Sequence, residues 1–174
     1  MLLVKLLILG TLWVIVLQDL RSRSVYWLAF PVLIGLLLIF RYQSGYTLRS
    51  LTSPLIVNVA FLVLQFGLLT AYFSLKNKKL INVTAELLGW GDLLFLLSIS
   101  VYLSALNFLV FYILSLVLIL TGWLAWQFFS KNKSQTVPLA GLQALLLTGA
   151  LAAGWWVTGF NLADDTWLLN LMMK

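Results

Sequence analysis

The sequence predicts an all-α polytopic membrane protein, a single bundle of about six transmembrane helices. Three observations predict it: 63% of the 174 residues are hydrophobic, only 9% are charged, and the mean hydropathy is +1.05. A soluble domain carries roughly 25% charged residues, so this chain cannot cover a watered surface. Facing lipid, every backbone N–H and C=O must find its partner inside a helix or a closed barrel. Barrel strands alternate apolar and polar residues over about ten positions. The apolar runs here are continuous and rich in leucine, which selects helices.

The first run covers Leu2 to Leu17, ahead of Gln18-Asp19-Leu20-Arg21-Ser22-Arg23. A cleaved signal peptide carries its positive charge before the apolar core, whereas here the stronger charge follows it, so a retained helix is expected. The next runs are Val25 to Phe40, Pro54 to Leu75, Leu87 to Leu103, Leu106 to Phe129 and Val137 to Phe160. Each is near the ~20 residues that cross ~30 Å of hydrocarbon. Residues 161–174 form a short outer tail. No repeat or low-complexity tract divides the chain.

Loop charge sets the expected orientation. Loops one-two, three-four and five-six hold Arg21, Arg23, Lys76, Lys78, Lys79, Lys131 and Lys133, while the other side holds Lys5, Arg41, Arg49 and Lys174. The positive-inside tendency puts the first set in the cytoplasm and both termini outside, in a multi-pass protein of the cytoplasmic (inner) membrane. The net charge of +6 thus reads as topology and lipid-headgroup contact, not nucleic-acid binding.

The chain has no cysteine and no histidine. Disulfides, thiolate–zinc sites, thiol nucleophiles and Ser-His-Asp triads are therefore excluded. No metal and no organic cofactor is expected. Chemistry must use carboxylates, hydroxyls, amides or the few Lys and Arg, and the acids number five: Asp19, Glu86, Asp92, Asp164 and Asp165.

Asp19 closes the first helix and Asp92 opens the fourth, so the expected topology puts both at the cytoplasmic boundary, at similar depth. Two carboxylates held together share one proton. Such a pair activates water as a base and protonates a leaving amine as an acid. Gly89 and Gly91 do not share a helix face, and are expected to loosen the helix entrance and admit a substrate or a neighbouring backbone. The plainer alternative makes Asp19 a solvated helix end beside Arg21 and Arg23, and Asp92 a helix-start acid favoured by the dipole. Asp164 and Asp165 point about 100° apart on a helix and are expected to cap a short outer segment at Thr166. Glu86 reads as a counter-charge in a basic loop. Asn58 and Gln65, seven apart, are expected to hydrogen-bond a neighbouring helix. The small residues of Gly149 to Gly154 are expected to permit close helix packing.

Asp19-Leu20-Arg21-Ser22-Arg23 after the first helix, with Gly89-Trp90-Gly91-Asp92 before the fourth, resembles the type IV prepilin peptidases, the GxGD-type intramembrane aspartic proteases. Val137-Pro138-Leu139-Ala140-Gly141 is similar to a proline-containing segment of that family. The resemblance implies an aspartic endopeptidase that cleaves the leader of a membrane-embedded, prepilin-like protein. Asp19 and Asp92 would be catalytic, Gly89 and Gly91 the motif glycines, and the active site cytoplasmic. The cysteine-bearing domain of larger members is missing, so their N-methyl transfer is not implied. The family often has Lys where this chain has Leu94, and an Ile-Pro-Asn-like stretch where it has Ser24-Val25-Tyr26-Trp27. Those departures keep open a non-catalytic scaffold or degenerate member that binds pilin-like precursors. A transporter using the two acids as relays is a third reading.

Overall fold

Long leucine-rich runs without interior breaks leave the backbone no cheaper state than helix. In the computed structural model, residues 1–77, 89–129 and 137–173 are described, and among them the fold is all helical. Helix α1 (Leu2–Ser22) ends where Arg23 turns left-handed, at φ 52°, and returns its N–H to the Asp19 carbonyl at 2.9 Å. Helix α2 (Ala29–Gln43) follows a short connection, which Gln18 pins by accepting the Tyr26 N–H at 2.9 Å. Then come α3 (Leu48–Asn77), α4 (Trp90–Ser100) and α5 (Ala105–Phe129). Helix α6 (Leu139–Ala152) runs on as a π-helical turn, Ala153–Thr158, and the short α7 (Thr166–Met172) closes the order.

Four segments are long and apolar enough to cross a membrane: Leu2–Ser22, Ser50–Asn77, Ala105–Gln127 and Leu139–Thr158. The several apolar helices mark a membrane protein. The expected six runs all form helices, but two are short. At 1.5 Å per residue, the 15 residues of α2 reach roughly 22 Å and the 11 of α4 roughly 16 Å. The fourth run is shorter than expected because α4 stops at Ser100, and Leu87 lies outside the described residues. The third is longer, since α3 takes in Pro54 rather than starting there.

Helix α6 is the hub: α1, α4 and α5 all pack on it, α2 packs on α1 and α4, and α3 on α4 and α5. Its buried stripe is Ala140, Ala144, Leu147 and Leu151, facing Ile8, Leu12 and Ile15 of α1. Both stripes follow helical spacing, and the two alanines let the backbones approach. Leu3, Leu6, Trp13 and Leu17, on the other side of α1, stay exposed. That is a liability in water and ordinary in lipid.

Several expectations resolve here. Asn58, 1% exposed, donates to the Ser100 and Leu103 carbonyls, and Gln65 donates to the Tyr112 hydroxyl, so both reach neighbouring elements as expected. The Gly149–Gly154 run differs. Gly149 faces open space, and Gly154 lies against the chain's own Phe160 carbonyl, 2.7 Å from where a Cβ would stand. Its closest fit is to the turn that follows it, not to another helix. Asp165 differs too: its Oδ1 accepts from the Ser104 hydroxyl and the Asn107 N–H, capping α5 across the fold. The Asp164 side chain serves the start of α7, through the Thr166 N–H and hydroxyl, where Asp165 offers only its backbone carbonyl. Sequence adjacency suggested one shared cap, whereas the chain's return past α5 offered Asp165 a second helix start.

Candidate active site

Asp19 sits in the last turn of α1, one turn inside its end rather than beyond it, and is 7% exposed. Asp92 is in the first turn of α4 and partly buried. There an acid suits the positive end of the helix dipole, and its Oδ2 accepts the Gly89 N–H at 3.3 Å.

The start of α6 brings the two together. The Ala140 N–H donates to Asp92 Oδ1 at 2.7 Å, and the next amide, Gly141 N–H, donates to Asp19 Oδ2 at 2.6 Å. These amides belong to the first turn of α6, where no intrahelical acceptor exists. Pro138 stands just before the helix, where its missing N–H costs nothing. Neighbouring amide nitrogens are about 3 Å apart, so the two accepting oxygens lie within about 8 Å of each other. The carboxylates act on each other electrostatically, and Arg23 acts on Asp19.

Gly141 is part of the site. A Cβ built on it would stand 2.9 Å from Asp19 Cβ and 3.0 Å from Oδ2, closer than real side chains pack. At Gly89 and Gly91 the chain's own atoms leave room for a side chain. An added Cβ meets its nearest neighbour at 3.5 Å and 4.0 Å, ordinary contact. Gly89 contributes its amide, and a Cβ on Gly91 would reach Val25 Cγ2 at 4.0 Å. The sequence marks the Val137–Gly141 segment only by a likeness, which assigns it no role. The signal that could have found it is a proline followed three residues later by a glycine at a helix entrance.

An open apolar groove of about 410 Å³ runs between α1, α5 and α6. Leu20, Leu118, Gly122, Trp123, Pro138 and Leu142 line it. Leu20 follows Asp19 in sequence, and Pro138 precedes the two amides, so groove and carboxylates share one end of α6. Glu86 lies outside the described residues, so its counter-charge reading does too. Among the described residues no group of three or more acids gathers as metal ligands would.

Chemically, the arrangement offers two acceptors on adjacent amides of a helix start. To cap α6, one carboxylate or a neutral hydroxyl would serve. Bringing a second like charge from another helix costs electrostatic repulsion unless the pair holds a proton. That excess over a cap is the feature a function must explain. The chain matches no family model, and neither the curated proteins nor the solved structures give a match.

Proposed function

We propose that this protein is a six-span membrane aspartic endopeptidase acting on prepilin-like precursors. The observation that carries the reading is the hydrogen bonding of Asp19 and Asp92 to consecutive amides, Gly141 and Ala140. In the cycle the pair holds one proton. The ionised carboxylate takes a proton from a water, whose oxygen attacks the scissile carbonyl. The protonated partner hydrogen-bonds the developing oxyanion. As the C–N bond breaks, the amine leaves with a proton from the pair, which returns to its single-proton state. The two amides fix the carboxylates before substrate arrives, which saves the cost of orienting them.

The short α4 is compatible with a crossing, because it packs among α2, α3 and α6 instead of facing lipid alone. The loop charges support a cytoplasmic position for the pair. The groove takes the apolar segment of the precursor: it has no charged lining residue, and Leu20 and Pro138, which line it, neighbour Asp19 and the two amides in sequence. The test is leader cleavage of pilin-like precursors in proteoliposomes, with Asp19→Asn and Asp92→Asn as controls. Cleavage by wild type and neither variant supports the reading, and undiminished cleavage by either variant sinks it. A non-catalytic scaffold is the second reading, because both hydrogen bonds would also serve a plain cap. Precursor bound stably and left uncut by wild type would favour it.

A further inference from the structure

Arg41 is a charged side chain that this chemistry leaves unused, 2% exposed in the last turn of α2. A buried guanidinium needs partners for its donors or a nearby anion. Here it meets carbonyls: Nη1 donates to Val101 O at 3.2 Å and Tyr102 O at 2.8 Å, and Nη2 to Ser50 O at 3.3 Å. Its carbon Cζ lies 5.0 Å from the Tyr46 ring centroid. Asn58 Nδ2, from α3, takes the flanking carbonyls, Ser100 O at 3.1 Å and Leu103 O at 3.0 Å.

Four successive carbonyls, residues 100 to 103, thus leave the end of α4 and meet two side chains from two other helices. Left unmet in an apolar surround, each would be a buried polar group without a partner, which lipid does not tolerate. A positive charge also suits the negative end of the α4 dipole. The opposite end of the same 11-residue helix carries Asp92, bound to Gly89 and Ala140. An unbroken helix of three turns transmits rotation and depth from one end to the other.

We infer that Arg41 and Asn58 are positioning residues for Asp92: by taking the carbonyls at the far end of α4 they set that helix's depth and rotation, and with it the seat of Asp92. The importance of this placement for cleavage rests on the peptidase reading; the placement itself does not.

The chain has no cysteine, so engineered pairs report position cleanly. A Cβ at Gly91 lies 4.0 Å from Val25 Cγ2, so Val25→Cys with Gly91→Cys samples the Asp92 end of α4. The Lys5 ammonium lies 5.6 Å from the Trp156 ring centroid, so Lys5→Cys with Trp156→Cys, joined by a short bismaleimide, samples α1 against the end of α6. Arg41→Met and Asn58→Leu are each expected to slow 25–91 disulfide formation about tenfold and to leave 5–156 joining unchanged. An unaltered 25–91 rate in both variants overturns the inference, and so does equal loss of both pairs, which would mean general loosening. Should Arg41→Met fail to accumulate, Asn58→Leu, which removes no charge, gives the same reading. Neither measurement requires activity, so a wild type that cuts nothing would count against the peptidase alone.

Discussion

Gly141 and Asp19 are packed so closely that there is no room for one more carbon: a methyl on Gly141 would stand 2.9 Å from Asp19 Cβ. The contact brings the Gly141 amide to the carboxylate at 2.6 Å. Gly141→Ala must therefore push α1 from α6 or turn the carboxylate away. Such overpacking costs about 1–3 kcal/mol. Thermal denaturation in detergent should show that loss, and leader cleavage should fall about tenfold or more as the carboxylate leaves its seat.

Asp19→Asn and Asp92→Asn separate capping from catalysis. The Asn carbonyl still accepts the Gly141 or Ala140 N–H, so stability should change by no more than about 1 kcal/mol. Acid–base capacity is lost, and cleavage should drop by about 10²–10⁴. Full activity with unchanged melting would leave the carboxylates as caps only.

Orientation is tested with single cysteines in the cysteine-free chain. Ser24, after α1, and Ser44, after α2, are both exposed. A membrane-impermeant maleimide should label Ser44→Cys from outside intact cells and Ser24→Cys only after permeabilisation. Labelling of both from one side would show that α2 does not cross.

Gly122 lines the groove, and a methyl added to it would meet nothing within 4 Å, so the side chain of Gly122→Phe starts in open space at the groove. Phe also has the higher helix propensity, so the fold should not suffer. Precursor KM should rise with kcat unchanged, the pattern of lost uniform binding. An unaltered KM would place the substrate elsewhere.

Gln143 is fully buried in α6 and donates to Ser115 Oγ at 3.2 Å, while its Oε1 has no partner among the described residues. Gln143→Leu removes the unmet acceptor and should change stability by less than about 1 kcal/mol, or raise it. Gln143→Glu buries a carboxylate and should cost several kcal/mol. Parallel melts of the two variants check the contrast.

Much of the fold was legible because apolar length is a local property. The cost of unpaired backbone in lipid applies residue by residue, and it is visible at Leu2–Ser22 as at Ala105–Phe129. Helix ends were less legible. Helix α4 ends at Ser100, and Arg41 and Asn58, far away in sequence, take the carbonyls of residues 100 to 103. The Asp165 side chain looked like a cap for its own helix and caps α5 instead. At the site, Asp19 and Asp92 could be read from the sequence because acids are rare in such a chain, whereas Gly141 had only the preceding proline to mark it, since glycine is common in apolar helices and its neighbour decides its meaning.

By itself, then, the sequence determined that the chain is helical, suited to lipid, and without a cysteine or histidine for any chemistry. These follow from side-chain composition and from the backbone's need for partners. Only the tertiary structure decided that α6 stands between α1 and α4, with Ala140 holding Asp92 and Gly141 holding Asp19. Residues 48 and 122 positions apart in the chain meet there through helix packing, a relation no local pattern encodes.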